Sequence, residues 1–345
     1  MNLRNLYVDS YLKLLYKQDI DWSYFYDSQI LITGATGFLG GALVEAFSYM
    51  NEMEPSANIR VVASCRERKK LLDKFPHLRN QDFFAVVEGD VCDLRPHSCD
   101  PDFIFHAACK ADPAAYIDSP VETLMTSALG TQRILECARS SGAKTVYLSS
   151  GVVYGDADTS VLDEAAFGSL DPLSPRSCYS EGKRFGEALC AGYIKEHLTD
   201  ACIARISHTY GPGLSAGDSR VFSNFILQAL TLNKIVISGD GLGSRPFCYV
   251  SDMISALLII AIKGQTGEAY NVGQEVEMTI LQLAELIKKI HNQKGFEIVV
   301  ENRHRIGIRD SGHLDTGKVK SLGWFPRVPP EHGFEATYHY LKGEM

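Results

Sequence analysis

The chain has 345 residues, 45% of them hydrophobic and 22% charged, with a formal net charge of −8 at pH 7. That is an ordinary water-soluble composition, with enough apolar material for one large α/β domain or two modest ones. The acidic balance argues against a nucleic-acid binder, which gains affinity from excess Lys and Arg, but leaves room for an anionic small substrate in a local arginine pocket. The first segment, LRNLYVDSYLKLLYK, predicts a helix with Leu3, Leu6, Tyr7, Leu14 and Leu15 near one face, packed on the main body. Asp9, Lys13, Lys17, Asp19 and Asp21 rule out a signal-peptide core within residues 1–28. The longest apolar run, Ala256–Ile262, is far short of the roughly 20 residues of a membrane span. Nine scattered cysteines lack CxxC or His/Cys metal spacing, so we expect buried thiols, no metal site and a reducing cytoplasm.

From Gln29 short β-like runs alternate with helical ones. Strands are predicted at Ile30–Thr33, Ile59–Ala63, Ala85–Glu88, Phe103–His106, Thr145–Leu148 and Cys202–Ile206, with helices at Gly40–Phe47, Pro120–Ser140 and Ser180–His197. This alternation predicts an α/β fold with a doubly wound parallel sheet of Rossmann type and right-handed crossovers. After about Gly211 the pattern loosens into predicted helices at Arg220–Thr231, Asp252–Lys263 and Thr279–His291, and apolar segments at Ile235–Ile237 and Ala269–Val272. We therefore expect a helical extension over 1–28, a dinucleotide-binding domain over 29–210, and a smaller, partly interleaved C-terminal lobe over 211–345.

The run LITGATGFLGGALVEAF places Gly34, Gly37 and Gly40 between an apolar strand and an amphipathic helix. Glycines permit a tight turn and close approach of a diphosphate to backbone N–H groups, and the helix start adds a positive dipole end. A purely structural turn is the alternative. The second strand, in IRVVASCRERKK, ends without the carboxylate that would hold a ribose diol and offers Arg66 instead. That favours NADP over NAD, unless these cations are solvated residues opening a helix. Asp90 and Val91, after strand three, can hold an adenine edge or serve as loop and cap residues.

Catalysis is expected from YLSSGVVYG and SCYSEGKRFGE. Tyr179 and Lys183 are four apart, on one helix face, and a nearby ammonium favours the phenolate of a tyrosine that is otherwise a poor base. Ser149 and Ser150 end strand five at the carboxyl edge of the sheet, where Ser150 can hold the hydroxyl that Tyr179 deprotonates while the carbon gives hydride to a nicotinamide.

The motifs GATGFLG, DFIFHAA, VYLSSGVVYG, YSEGK, ARISHTYGPG, RPFCYVSD and LGWFP resemble the extended short-chain dehydrogenase/reductases that act on nucleotide sugars, from about Gln29 to the C-terminus. SCYSEGKR, SRVFSNFILQAL and SRPFCYVSD are most similar to the UDP-glucuronate decarboxylase branch. The resemblance implies NAD(P) on Gly34, Thr36, Gly37, Phe38, Leu39, Gly40, Ala107, Ala108 and Ile206. It also implies a nucleoside-diphosphate sugar oxidised transiently at C4, and a homodimer built on helices around Val121–Ser140 and Ser180–His197.

Departures from the pattern bear on the reaction. The 4,6-dehydratases of the family carry Asp-Glu directly after the residue matching Ser150, and the decarboxylases carry Glu at the position of Val152; here stand Gly151 and Val152. Alcohol–ketone redox remains, as an epimerase or, with external NADPH, a 4-ketoreductase; we favour the epimerase. Asp156 and Glu181 are nearby acids that could compensate, and a nucleotide-sugar-binding protein without turnover is the non-enzymatic alternative. His208 stands where the family often has Asn, and Ser127 where it has the Asn of a TN pair. Arg245 matches a diphosphate-binding arginine, and a guanidinium suits two-point contact. Arg220, Val221 and Asn224 are candidate uridine or diphosphate contacts; among Arg303, Arg305 and Arg309 we favour Arg309 as the second phosphate arginine. Trp324 is expected in the core.

Overall fold

The computed structural model describes residues 4–96, 99–301 and 313–345. Helix α1 (Leu6–Tyr16) starts where the Asn5 side chain accepts the Tyr7 N–H at 2.9 Å. Its buried face is Val8, Tyr11, Leu12 and Leu15, while Leu6 is 81% and Leu14 42% exposed. Leu15 is buried as expected, but the face is otherwise rotated from the one the leucines suggested, because α1 packs through Tyr11 and Leu12 against the helices over Phe38–Met53, Val250–Lys263 and Pro330–Glu344; Leu3 lies outside the described residues.

The body follows as β1 (Gln29–Thr33), α2 (Phe38–Met53), β2 (Arg60–Cys65), α3 (Arg68–Lys74), β3 (Phe84–Glu88) and β4 (Phe103–His106). Then come α4 (Pro113–Asp118), α5 (Pro120–Met125), a π turn at Thr126–Gly130, α6 (Thr131–Ser141), β5 (Lys144–Ser150), β6 (Val161–Leu162), α7 (Cys178–His197) and β7 (Ala201–Ile206). The π turn divides what the sequence suggested as one helix from Pro120. Beyond it lie β8 (His208–Tyr210), α8 (Val221–Leu232), β9 (Lys234–Ser238), β10 (Ser244–Arg245), β11 (Phe247–Tyr249), α9 (Val250–Lys263) and β12 (Ala269–Val272). The chain closes with β13 (Met278–Thr279), α10 (Ile280–His291), β14 (Glu297–Glu301), β15 (His313–Leu314), α11 (Gly317–Ser321) and α12 (Pro330–Glu344).

Seven strands form one parallel sheet in the order β12-β7-β5-β4-β1-β2-β3. Their apolar runs, such as Ile30–Ile32 and Val61–Ala63, are buried because helices cover both faces. Strand order reverses between β1 and β4, which opens a crevice at their carboxyl ends. The late strand β12 pairs with β7 (Ala269 opposite Ile203), so the second half of the chain completes the first half's sheet. Asp252, fully buried on α9, accepts the N–H groups of Arg327 and Val328 and the Gln18 side chain at 2.9–3.2 Å, tying both chain ends to the core. Trp324 is buried, its indole donating to the Asp252 carbonyl at 2.9 Å. Among the described residues no helix is long and apolar enough to cross a membrane, and no His, Cys, Asp and Glu cluster could hold a metal.

Candidate active site

The crevice is shaped first by glycine. Gly34 leaves β1 at φ +66°, and a Cβ there would lie 2.8 Å from the Ala107 carbonyl oxygen at the end of β4. A Cβ on Gly40 would lie 2.3 Å from the Gly34 carbonyl oxygen. The turn therefore closes only around hydrogens, with Gly37 N–H donating to Gly34 O at 2.8 Å. Helix α2 begins on Gly37 without a side-chain cap, so its first N–H groups point into the crevice as a ready anion cradle. A dinucleotide diphosphate fits this cradle. Beneath it the buried His106 bridges Thr33 (2.8 Å) and Thr131 (3.1 Å), and burial, with the nearby Lys183 charge, pushes its pKa down to about 3. The imidazole is a neutral strut between β1, β4 and α6.

Strand β5 ends at the crevice with Ser149 and Ser150. Both line it; the Ser149 hydroxyl, fully buried, donates to Glu187 at 2.5 Å, whereas the Ser150 hydroxyl lies beside Tyr179. Helix α7 brings Tyr179 beside Ser150, and Lys183 one turn on, both buried. The Lys183 ammonium donates to the Leu148 carbonyl at 2.6 Å and lies 5.9 Å from the Tyr179 ring centre. Burial pushes the Tyr179 phenol well above its ordinary range, and Cys109 and Tyr116 add to the rise. Ser150 and Arg220 pull it back down. The sequence pointed to Lys183 for that lowering; the structure instead engages its ammonium with a backbone carbonyl.

These groups line one cavity of about 910 Å³. From the predicted set it contains Gly34, Gly37, Phe38, Leu39, Gly40, Ala107, Ser149, Ser150, Tyr179, Lys183, Ile206, His208 and Arg220. His208 opens onto it, and its pKa is lowered to about 4 by the enclosing protein and by Arg245 and Arg220, so it is a neutral donor and acceptor at pH 7. Arg220 is held by Asp218 at 2.6 Å, with its guanidinium 5.9 Å from the Phe38 ring centre.

Other predicted residues stand outside this wall. The Thr36 carbonyl faces Lys74 behind the turn at 3.1 Å. Arg66, at the end of β2, has a side chain 64% exposed and pairs with Glu122 at 2.9 Å. Asp90 caps its own turn by accepting the Cys92 N–H at 2.9 Å, and Val91 packs on Gly130. Ala108 N–H donates to Thr33 at 3.2 Å. Val221 and Asn224 lie on the first turn of α8, Asn224 turned to Gln228 at 3.1 Å. Arg245 donates to the Ser244 carbonyl at 2.6 Å. Arg303, Arg305 and Arg309 fall outside the described residues. Conversely, Cys109, Tyr116, Arg176 and Leu314 line the cavity without having been singled out. Val152 and Asp156 are also in the wall, but Glu181 is not.

Residues 30–273 match the model of the NAD dependent epimerase/dehydratase family. The UDP-glucuronic acid decarboxylase 3 of Arabidopsis thaliana is 36% identical over 314 residues, covering 88% of this chain and 86% of its own. The UDP-glucuronic acid decarboxylase 1 of Xenopus tropicalis is 33% identical, covering 92% of this chain and 73% of its own. Among solved structures, a UDP-glucose 4-epimerase from Thermotoga maritima with UDP-glucose superimposes with a TM-score of 0.77 at 25% identity, over 92% of this chain and 99% of that one. A dTDP-glucose 4,6-dehydratase from Bacillus anthracis in complex with NAD shares the fold, with a TM-score of 0.75 at 23% identity over 92% and 97%. With the glycine cradle and the Ser150, Tyr179 and Lys183 set in one crevice, these likenesses establish that the chain belongs to the NAD-dependent epimerase/dehydratase family, enzymes of the extended short-chain dehydrogenase type.

Proposed function

We propose that this enzyme epimerises a nucleoside-diphosphate sugar by oxidising one hydroxyl-bearing carbon, C4, and reducing it again from the opposite face. The observation that supports this best is Ser150 beside Tyr179 in a cavity whose next wall residues are Gly151 and Val152. Redox at one carbon needs a single base and a hydroxyl donor, and both are there. Elimination or decarboxylation would call for a further carboxylate at those two positions.

The residues that would hold the dinucleotide are Gly34, Gly37, Phe38, Leu39, Gly40, Ala107 and Ile206, with Lys183 toward the nicotinamide ribose. When bound, it supplies a hydride acceptor and, on return, a hydride donor. Tyr179 acts as the phenolate, a form that the Lys183 ammonium one turn on and the positive ring of a bound oxidised nicotinamide would favour: it takes the proton of the sugar hydroxyl as the carbon is oxidised and gives it back as the ketone is reduced. Ser150 donates to the same oxygen throughout, and so holds the ketone while the sugar turns. Proton and hydride both return, so no reductant is consumed. Arg220 and His208, with Arg176 in the same wall, provide the charge and the hydrogen bond for a diphosphate and sugar hydroxyls. The names of the relatives support a uridine nucleotide.

Arg66 at the end of β2 supports NADP over NAD. Exposed Val121, Leu124 and Met125 on α5 and Phe185 on α7 support a homodimer through those helices. Nine free thiols fit a reducing cytoplasm. We assign dinucleotide binding mainly to residues 29–210 and sugar binding mainly to 211–345, with 1–28 as a helical extension.

The test is a panel of UDP-, dTDP-, GDP- and CDP-sugars, with product NMR in deuterated water and parallel assays for NADPH and CO2. An inverted centre with neither NADPH loss nor CO2 is expected. A second reading, decarboxylation of UDP-glucuronate, is favoured by the identity to the decarboxylases, and CO2 release would establish it in place of epimerisation. Net NADPH loss would establish a 4-ketoreductase.

A further inference from the structure

Behind the glycine turn, on the side away from the cavity, stands a cation that the reaction does not use. Lys74 is the last residue of α3, and its ammonium donates to the carbonyls of Gly37 at 2.7 Å and Thr36 at 3.1 Å. Those are consecutive peptides of the turn itself. A peptide's carbonyl and its N–H point in opposite directions. Fixing the Thr36 carbonyl therefore aims the Gly37 N–H the other way, where it meets Gly34 O at 2.8 Å and closes the turn. Fixing the Gly37 carbonyl aims the Phe38 N–H away from Lys74, toward the cavity that Phe38 lines.

A second feature makes this arrangement specific. A Cβ on Gly41 would lie 2.7 Å from the Lys74 Nζ and 3.2 Å from its Cε. Any side chain at 41 would displace the ammonium, so Gly41 is the space in which Lys74 sits. A second cavity of about 440 Å³ adjoins, walled by Lys74, Phe38, Gly41 and Arg4 among others.

We propose that Lys74 is a positioning residue for dinucleotide binding: seated in the space left by Gly41, it clamps the Thr36 and Gly37 carbonyls, and so holds the turn closed through the Gly37 N–H and orients the Phe38 N–H toward the diphosphate. The inference rests on reading the glycine turn as the dinucleotide cradle. It links that cradle to α3, the helix that follows the ribose-side strand β2. A charge-assisted bond to two carbonyls is stronger than a neutral one, and a preorganised donor set spares the ligand the cost of ordering it.

The test is calorimetric binding of NAD+ and NADP+ to the purified full chain, with UDP as the control ligand for the other end of the cavity. In Lys74→Met the dinucleotide affinity is expected to fall about tenfold, while UDP affinity stays within about twofold of the parent. Lys74→Arg restores part of the loss. Gly41→Ala keeps the charge but displaces it, and reproduces the loss, which keeps the proposal open to test even where Lys74→Met folds poorly. Dinucleotide affinity unchanged in both Lys74→Met and Gly41→Ala, or UDP affinity falling in parallel, overturns the proposal. A parent chain that binds UDP but neither dinucleotide overturns the cradle reading itself, and this proposal with it.

Discussion

The ring of Tyr116 lies flat against that of Tyr179, with centroids 5.2 Å apart and planes 5° from parallel. Tyr116 belongs to the short helix α4, so a segment after β4 shields the proposed base, Tyr179, carried by α7. The shielding belongs to the burial that raises the phenol. Removing it by Tyr116→Ala admits water and lowers the phenol pKa, so the rising limb of the kcat/KM profile moves to lower pH, by on the order of one unit. Tyr116→Phe keeps the stack and leaves the limb in place. A pH–rate series on the three proteins checks both outcomes.

Tyr179→Phe removes the proposed proton acceptor and keeps the ring. Turnover is expected to fall at least about 100-fold, with nucleotide-sugar affinity unchanged in calorimetry. Activity surviving this change would remove the basis of the mechanism.

Glu187 holds Arg205 at two points, 3.0 and 2.7 Å, and takes the Ser149 hydroxyl at 2.5 Å. Arg205 continues to the Tyr154 hydroxyl at 3.1 Å, which donates to Asn271 at 2.6 Å. The pair is largely buried, with side-chain exposures of 13% and 14%. Glu187→Ala leaves a guanidinium uncompensated and is expected to lower stability by about 3–5 kcal/mol, read by denaturant unfolding. Because the network fixes the end of β5, Ser150 loses its register and turnover falls as well.

His106 is neutral in the folded chain, with a pKa lowered to about 3 from 6.5. The unfolded chain takes up a proton at this residue below about pH 6.5, and the folded one does not until near its own value. Its contribution to stability is therefore complete above pH 6.5 and is lost as pH falls toward 3. The slope from this one residue is at most about 1.4 kcal/mol per pH unit. Unfolding free energies measured from pH 7 to 4 should show the slope, and in His106→Gln it should be shallower.

Val152→Glu places a carboxylate two residues after Ser150, at the position where the decarboxylases carry one. With UDP-glucuronate we expect the variant to release CO2 above the parent's level, measured by trapped label. The same cavity wall carries Leu162 and Leu314 and a carboxylate at Asp156, so the new carboxyl is expected to have a raised pKa.

Parallel strands announce themselves as short apolar runs, and β1 and β4 fall within a residue of where the pattern put them; Ala269–Val272 read only as an apolar segment of the C-terminal lobe, and its place as β12 in the main sheet depends on distant pairing with β7. The glycine spacing and the Tyr179–Lys183 interval were legible because each is set by local backbone geometry. What depends on distant packing was not. The leucines of α1 gave its period but not its phase, since Tyr11 and Leu12 are chosen by α2 and α9. Ser149 and Ser150 read alike in sequence, and only the partner 38 residues away, Glu187, shows that the first hydroxyl is taken up by the network while the second is left to Tyr179. Arg66 lies at the strand end as expected, but its tie to Glu122 crosses to a different helix. Tyr116 was silent because its stacking partner lies on α7, far along the chain.

The pairing of β12 with β7 sets an order on synthesis. Until residue 272 has left the ribosome, the outer edge of β7 has no neighbour and presents bare backbone donors and acceptors to any passing strand. Nascent chains stalled after α9 should therefore be sticky, and the protein should become soluble only when those last few residues dock.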